Sequence, residues 1–186
     1  MRRVIYSMMV SLDGFVETVD HRIDWSVPDA ELHQFFNDHE SRLGAHLYGR
    51  RLYELMAQYW PTADQNPSAP PYVAQYARLW REMPKVVFST TLEHVGWNSR
   101  LVRGDIAGEV GRLKEEPGKD LSVGGASLAA GLMRYGLIDE YMLAVHPVAL
   151  GGGTPYWPEG FGPTRLRLVE ARPFTSGVVL LRYHHP

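Results

Sequence analysis

The apolar positions of this chain switch repeatedly between a period of two and a period near 3.6. Residues 3–10, RVIYSMMV, are rich in Val, Ile, Tyr and Met and predict a first strand. Asp13-Gly14 marks a turn. Residues 17–28 are polar and irregular, and Pro28 is suited to the first turn of a helix. From Asp29 to about Leu43, Leu32, Phe35 and Phe36 fall at helical spacing. HLYG (46–49) predicts a short strand, and RRLYELMAQY after it a helix whose apolar face carries Leu52, Leu55, Met56 and Tyr59. Residues 60–71, WPTADQNPSAPP, predict a Pro-rich surface loop.

The alternation continues beyond that loop. Helix Tyr72–Met83 precedes strands at 85–89 and 99–104, then a helix from Ile106 to Glu115 and a strand at 120–125. Helix Ser127–Tyr135 is expected to bury Leu128, Leu132 and Tyr135. Gly136 is expected to close it in a left-handed cap, with Leu137 as the apolar contact beyond. A strand over 140–150 leads into the glycine loop GGGTPYWPEGFGP (151–163). LRLVEARPF and GVVLLRYH then predict a closing hairpin. Strands alternate with helices to residue 150, and strands alone follow. The fold class is therefore α/β: one domain over residues 1–186, with a mixed, mainly parallel sheet flanked by helices and an antiparallel C-terminal edge.

Composition removes several function classes. The chain has no cysteine, so it holds no disulfide framework, thiolate nucleophile or Cys-ligated metal. A net charge of −2 offers no general attraction to nucleic acid, so a phosphate ligand must be held by local groups. The apolar N-terminal run is interrupted by Ser7, Ser11 and Asp13, unlike a signal peptide, and no run has the length of a membrane span. A cytoplasmic protein is the expectation. No metal-ligand spacing is found among the eight histidines. Asp29 and His33, at i and i+4, read as a surface charge pair, and His184-His185 as a terminal tail. The serine-hydrolase elbow G-x-S-x-G and the Rossmann fingerprint G-x-G-x-x-G are both absent.

In open α/β sheets ligands sit beyond the carboxyl ends of the strands. Three strand ends here carry suggestive residues. At Gly124-Gly125-Ala126-Ser127, paired glycines at a helix start would let an anion approach free N–H groups, or would simply make a tight turn. Gly49-Arg50-Arg51 joins a strand to a helix with a guanidinium added, which suits phosphate oxygens or a solvated arginine pair. Ser89-Thr90-Thr91 supplies hydroxyls for a ribose or its phosphate, or a capped turn.

Taken in order, MMVSLDGFV (8–16), LYGRRLYELM (47–56), KVVFSTTLE (85–93), the segment 122–157 and SGVVLLRY (176–183) resemble the dihydrofolate reductase-like family. The branch is the one similar to the C-terminal reductase domain of the bifunctional riboflavin-biosynthesis deaminase-reductase. The resemblance implies NADPH in a groove across the strand ends. Gly124, Gly125, Ala126, Ser127 and Leu128 would lie at its pyrophosphate, Gly49, Arg50 and Arg51 at the adenosine side, Ser89 and Thr90 at the ribose 2′-phosphate, and Met8 and Met9 at the nicotinamide. It also implies a homodimer and reduction of a small heterocycle, as in 5-amino-6-(5-phosphoribosylamino)uracil reductases. A dihydrofolate or pterin reductase is the alternative within the class. A dinucleotide- or small-molecule-binding homodimer without turnover is the alternative outside it.

Two departures from the family pattern stand out. Leu52 holds the position where such proteins usually carry Thr. Folate reductases place a carboxylate two residues after a proline on the first helix, whereas here Asp29 and Glu31 follow Pro28 by one and three. Asp29, Glu31 or a water held by Asp13 are the expected proton donors; the plainer readings are a helix cap for Asp29 and a turn for Asp13.

Overall fold

The computed structural model describes residues 1–186. Its eight-stranded sheet has the order β5-β4-β3-β6-β1-β7-β10-β9. These strands are β1 (Val4–Val10), β3 (Ala45–Gly49), β4 (Lys85–Phe88), β5 (Ser99–Val102), β6 (Leu121–Gly124), β7 (Glu140–Val145), β9 (Arg167–Pro173) and β10 (Val179–His184). Two further short strands, β2 (Phe15–Glu17) and β8 (Thr154–Pro155), pair with each other. The helices are α1 (Ala30–Glu40), α2 (Arg50–Tyr59), α3 (Pro71–Glu82), α4 (Ile106–Glu115) and α5 (Ala126–Arg134). β5 through β7 run parallel, and β10 and β9 add the antiparallel edge.

β1 explains why helices cover both faces. Its side chains alternate, so Val4, Tyr6 and Val10 enter one core and Ile5 the other. The first core takes Val110 and Leu113 from α4, and Leu128, Ala129 and Leu132 from α5. The second takes Leu32 from α1, with Phe174 beside it, and a smaller cluster joins Tyr53 of α2 to Trp80 of α3. Each Val, Leu, Ile or Phe among them contributes roughly 1.5–3 kcal/mol on burial.

Helix ends follow their side chains. Asp29 caps α1 by accepting from the Leu32 N–H at 2.9 Å, and Asp105 caps α4 through Gly108 N–H. Pro28 therefore stands outside α1 rather than in its first turn. Gly136, at φ +64°, closes α5 as expected: Leu137 N–H reaches Leu132 O and Gly136 N–H reaches Met133 O.

Five local expectations are corrected. Tyr135 is exposed, and α5 buries Met133 and Ala129 instead. The apolar face expected of α2 enters the core only in part, through Leu52 and Met56, which pack against the cluster of Tyr53 and Trp80. Tyr53 is the buried residue, while Leu55 and Tyr59 remain exposed. Residues 60–65 form a 3-10 helix that buries Pro61 and Ala63, so the first half of the Pro-rich stretch packs on α3, while 66–70 remain the expected surface turn. His33 does not pair with Asp29. It is buried beside Trp60, Tyr72 and Tyr76, and its Nδ1 lies 3.2 Å from Asn37. His184 is no free tail either, since it lies in β10, 2.8 Å from the fully buried Glu140.

Candidate functional site

Because β6 lies between β3 and β1, the carboxyl ends of three strands distant in sequence become neighbours. A cleft of about 360 Å³ opens over them. Met8 and Met9 reach it from β1, Gly49, Arg50 and Arg51 from the β3–α2 join, and Gly125, Ala126, Ser127 and Leu128 from the β6–α5 join. Leu52 and Leu55 add the apolar face of α2 as a wall.

Both helices that begin at this cleft lack a side-chain cap, and neither has an acidic residue in its first turn. The N–H groups of a first turn have no intrahelical acceptor. The caps of α2 and α5 are glycines, in contrast to the aspartates that cap α1 and α4. Two positive helix ends thus converge on one space, and Arg50 adds a guanidinium. This donor set fits the phosphate groups of a dinucleotide. Gly125 adopts φ +93°, which only glycine takes readily, and its N–H points at Met8 Sδ, 3.5 Å away. Gly124 does not face the cleft. It is buried against Leu52 and Tyr48, so it serves packing.

The two arginines diverge. Arg50 donates to Thr91 Oγ1 at 2.9 Å and to Glu54 at 3.1 Å. Ser89 and Thr90 do not line the cleft. Ser89 Oγ accepts from Leu92 N–H at 3.0 Å and from Thr91 N–H at 3.2 Å, closing the turn after β4 at the edge held by Arg50. The hydroxyl next to Arg50 is therefore Thr91, one residue past the expected pair. Arg51 turns the other way and binds Glu17 of β2.

None of the three expected proton donors reaches the cleft. Asp13 accepts from Ser11 Oγ at 2.6 Å, Leu150 N–H at 3.0 Å and Gly151 N–H at 2.7 Å. The Ser11 hydroxyl foremost, then these amides, pulls its pKa down to about 2. It clamps the β1–β2 turn to the glycine loop. Asp29 is occupied as the α1 cap. Glu31 accepts from the hydroxyl of Thr175 at 2.6 Å and its N–H at 3.0 Å, which lowers its pKa and ties α1 to the β9–β10 turn.

The residues that do line the cleft, and that the sequence reading passed over, include Glu17, His21 and Thr154. Glu17 is buried, and its carboxylate gathers Arg51, the Thr154 hydroxyl and His21 Nδ1, the last at 2.9 Å. No group of three or more His, Asp or Glu side chains is arranged to hold a metal ion, and no helix is long and apolar enough to cross a membrane.

A mainly parallel sheet with an antiparallel edge, helices on both faces and a cleft across the strand ends defines a dihydrofolate reductase-like fold. The profile of the RibD C-terminal domain matches residues 2–180, and the chain belongs to that family. It is 35% identical over 184 residues to the uncharacterized protein YyaP of Bacillus subtilis strain 168, covering 98% of this chain and 95% of YyaP. It is 30% identical over 181 residues to the uncharacterized protein YwjB of the same organism, covering 96% of each. In three dimensions it resembles a Shewanella sp. PV-4 protein assigned to riboflavin biosynthesis, with a TM-score of 0.77, 21% identity and coverage of 100% of this chain and 99% of that one. It also resembles a diaminohydroxyphosphoribosylaminopyrimidine deaminase/5-amino-6-(5-phosphoribosylamino)uracil reductase from Thermotoga maritima. There the TM-score is 0.67 at 14% identity, with coverage of 100% of this chain and 57% of that one. Family and fold together support a reductase of the RibD type.

Proposed function

We propose that this protein is an NADPH-dependent reductase of a small heterocyclic or carbonyl substrate. The observation that carries the reading is the convergence of two uncapped, glycine-started helices and Arg50 on one strand-end cleft. Gly49, Gly125, Ala126, Ser127 and Leu128 would hold the cofactor phosphates through main-chain N–H groups, with Arg50 at the 2′-phosphate and Met8 and Met9 along the nicotinamide. Bound there, the reduced nicotinamide supplies a hydride. The chain's own task is to orient the reactants and exclude water, for which Val16, Ile23, Leu52 and Leu55 form apolar walls. The substrate class follows the 5-amino-6-(5-phosphoribosylamino)uracil reductase named for the Thermotoga maritima relative.

A fluorescence titration with NADPH and with NADH tests the reading. Saturable binding that favours NADPH supports it, and absence of binding to either overturns it. Binding followed by no oxidation, with pterin and ribosylaminouracil acceptors both supplied, favours a binding module without turnover.

We further propose a homodimer. β9 is an exposed edge strand that presents Leu168 and Val169 to solvent, and unpaired edges call for cover. Light scattering is expected to report twice the 21.1 kDa of one chain; a monomer at micromolar concentration contradicts it.

A further inference from the structure

We infer that His21 hands the proton to the substrate, held in place by Glu17; the inference rests on the reductase reading above. The charged or titratable side chains lining the cleft are Glu17, His21, Arg50 and Arg51. Arginine does not give up its proton in proteins. Both oxygens of Glu17 are engaged, one by Arg51 and the other by Thr154 and His21. Imidazole is the side chain whose charge ordinarily changes between pH 5 and 8. His21 is therefore the side chain lining the cleft that can carry a proton on a ring nitrogen and give it up.

The imidazole is anchored at one ring nitrogen. With a carboxylate as its partner, Nδ1 carries hydrogen and donates to Glu17 at 2.9 Å, which leaves Nε2 for the substrate. The backbone at His21 is held at φ +61°, an uncommon conformation for a residue other than glycine. It is held by a closed turn: Thr18 N–H bonds Arg22 O, His21 N–H bonds Thr18 O, and Arg22 N–H bonds the Thr18 hydroxyl. The charged groups that line the cleft with His21 are Glu17 from β2, which it contacts, and Arg50 and Arg51 from α2, while the residues that α5 and β8 give to the cleft carry no charge. The ring is 60% exposed, so solvent can restore its proton between turnovers.

As the carbon of a substrate C=N or C=O bond accepts a hydride from the reduced nicotinamide, its π pair moves to the heteroatom. That atom takes the proton from Nε2 of the imidazolium, and neutral imidazole remains with its Nδ1–H on Glu17. Glu17 itself acts as a positioning residue.

The test uses the full-length wild type, His21→Gln and Glu17→Gln, with NADPH as the probe. Wild-type protein that shows no saturable NADPH binding overturns the reductase reading and this proposal with it. Where NADPH binds, nitrogen-15 spectra of the histidine rings decide the rest. Expected, in spectra taken at a pH where the His21 ring is neutral, are the Nδ1–H tautomer, a ring signal that moves on NADPH saturation, and a return to mixed tautomers in Glu17→Gln. A His21 signal that stays still, or an Nε2–H tautomer in the wild type, overturns the proposal and leaves the cofactor reading intact. This readout holds whichever acceptor the enzyme takes. With 5-amino-6-(5-phosphoribosylamino)uracil as acceptor, His21→Gln should lower kcat at pH 7 about a hundredfold, with NADPH affinity retained. It should also lose the alkaline limb of the wild-type pH profile. A variant with wild-type kcat and an unchanged profile refutes the assignment.

Discussion

Leu52 of α2 fills the space that a side chain at Gly124 would need. A Cβ built on Gly124 would stand 2.5 Å from Leu52 Cδ2 and 3.3 Å from Tyr48 Cε1. The nearest atom ends a flexible side chain, so Gly124→Ala should fold while losing about 1–3 kcal/mol from overpacking. The loss should shrink in a Leu52→Ala background, where the conflict is removed. Urea unfolding of both single variants and the double variant measures this coupling, and strict additivity would show that the two residues do not compete for the space. Gly125 differs. A Cβ there would make only ordinary contacts, the nearest at 3.6 Å, but φ of +93° strains any other residue.

Asp29 and Glu31 are expected to act on stability and not on turnover. Asp29→Ala removes the α1 cap and should cost about 1 kcal/mol. Glu31→Gln weakens the tie to Thr175 and should lower the melting temperature slightly. Both should bind NADPH as the wild type does. A variant with unchanged melting and abolished turnover would restore that carboxylate to the chemistry.

Asp13 predicts an acid-side dependence. Its folded pKa of about 2 lies below the ordinary 3.8, so the unfolded chain binds the proton more readily. The stabilisation is complete above about pH 4 and is lost as pH falls from 4 towards 2. Asp13→Asn should flatten the melting-temperature profile in that window. An unchanged acid limb in the variant would mean that the clamp on Leu150 and Gly151 contributes nothing.

These cases show what could be read in the sequence and what could not. Helices, strands and the parallel-then-antiparallel order were legible because hydrophobic period and glycine placement are local signals. The residues at the β3–α2 and β6–α5 joins were legible for the same reason, since strand ends gather wherever the sheet is parallel. The role of the apolar face of α2 was only partly legible. Leu52 and Leu55 are apolar at helical spacing and both wall the cleft, while Leu52 also packs against a core cluster. Glu17, His21 and Thr154 meet through the β2–β8 pairing, across 137 residues, and both segments look merely polar or glycine-rich. The one local hint was a Glu closing the short apolar run Phe15-Val16. The expected carboxylates Asp13, Asp29 and Glu31 lie outside the cleft, engaged by hydroxyls and amides nearby that the sequence pattern does not reveal.

Arg50 and Arg51, adjacent in sequence, should separate by experiment. Arg50 stands at the α2 start with Thr91 at 2.9 Å, on the edge where a 2′-phosphate would meet the turn after β4. Arg51 is paired with the buried Glu17 at the opposite side. A charge-assisted hydrogen bond contributes about 1.5–3 kcal/mol, so Arg50→Ala should weaken NADPH roughly tenfold to a hundredfold. NADH has no 2′-phosphate and should be nearly indifferent to the change. Arg50→Lys keeps the charge but loses the planar fork, and should recover only part of the affinity. Arg51→Ala should affect both cofactors alike and weakly, because its partner is the protein's own carboxylate. Fluorescence titrations of the three variants with each cofactor decide the matter. Equal losses for NADPH and NADH in Arg50→Ala would remove Arg50 from the 2′-phosphate, and a selective NADPH loss in Arg51→Ala would move that role to its neighbour.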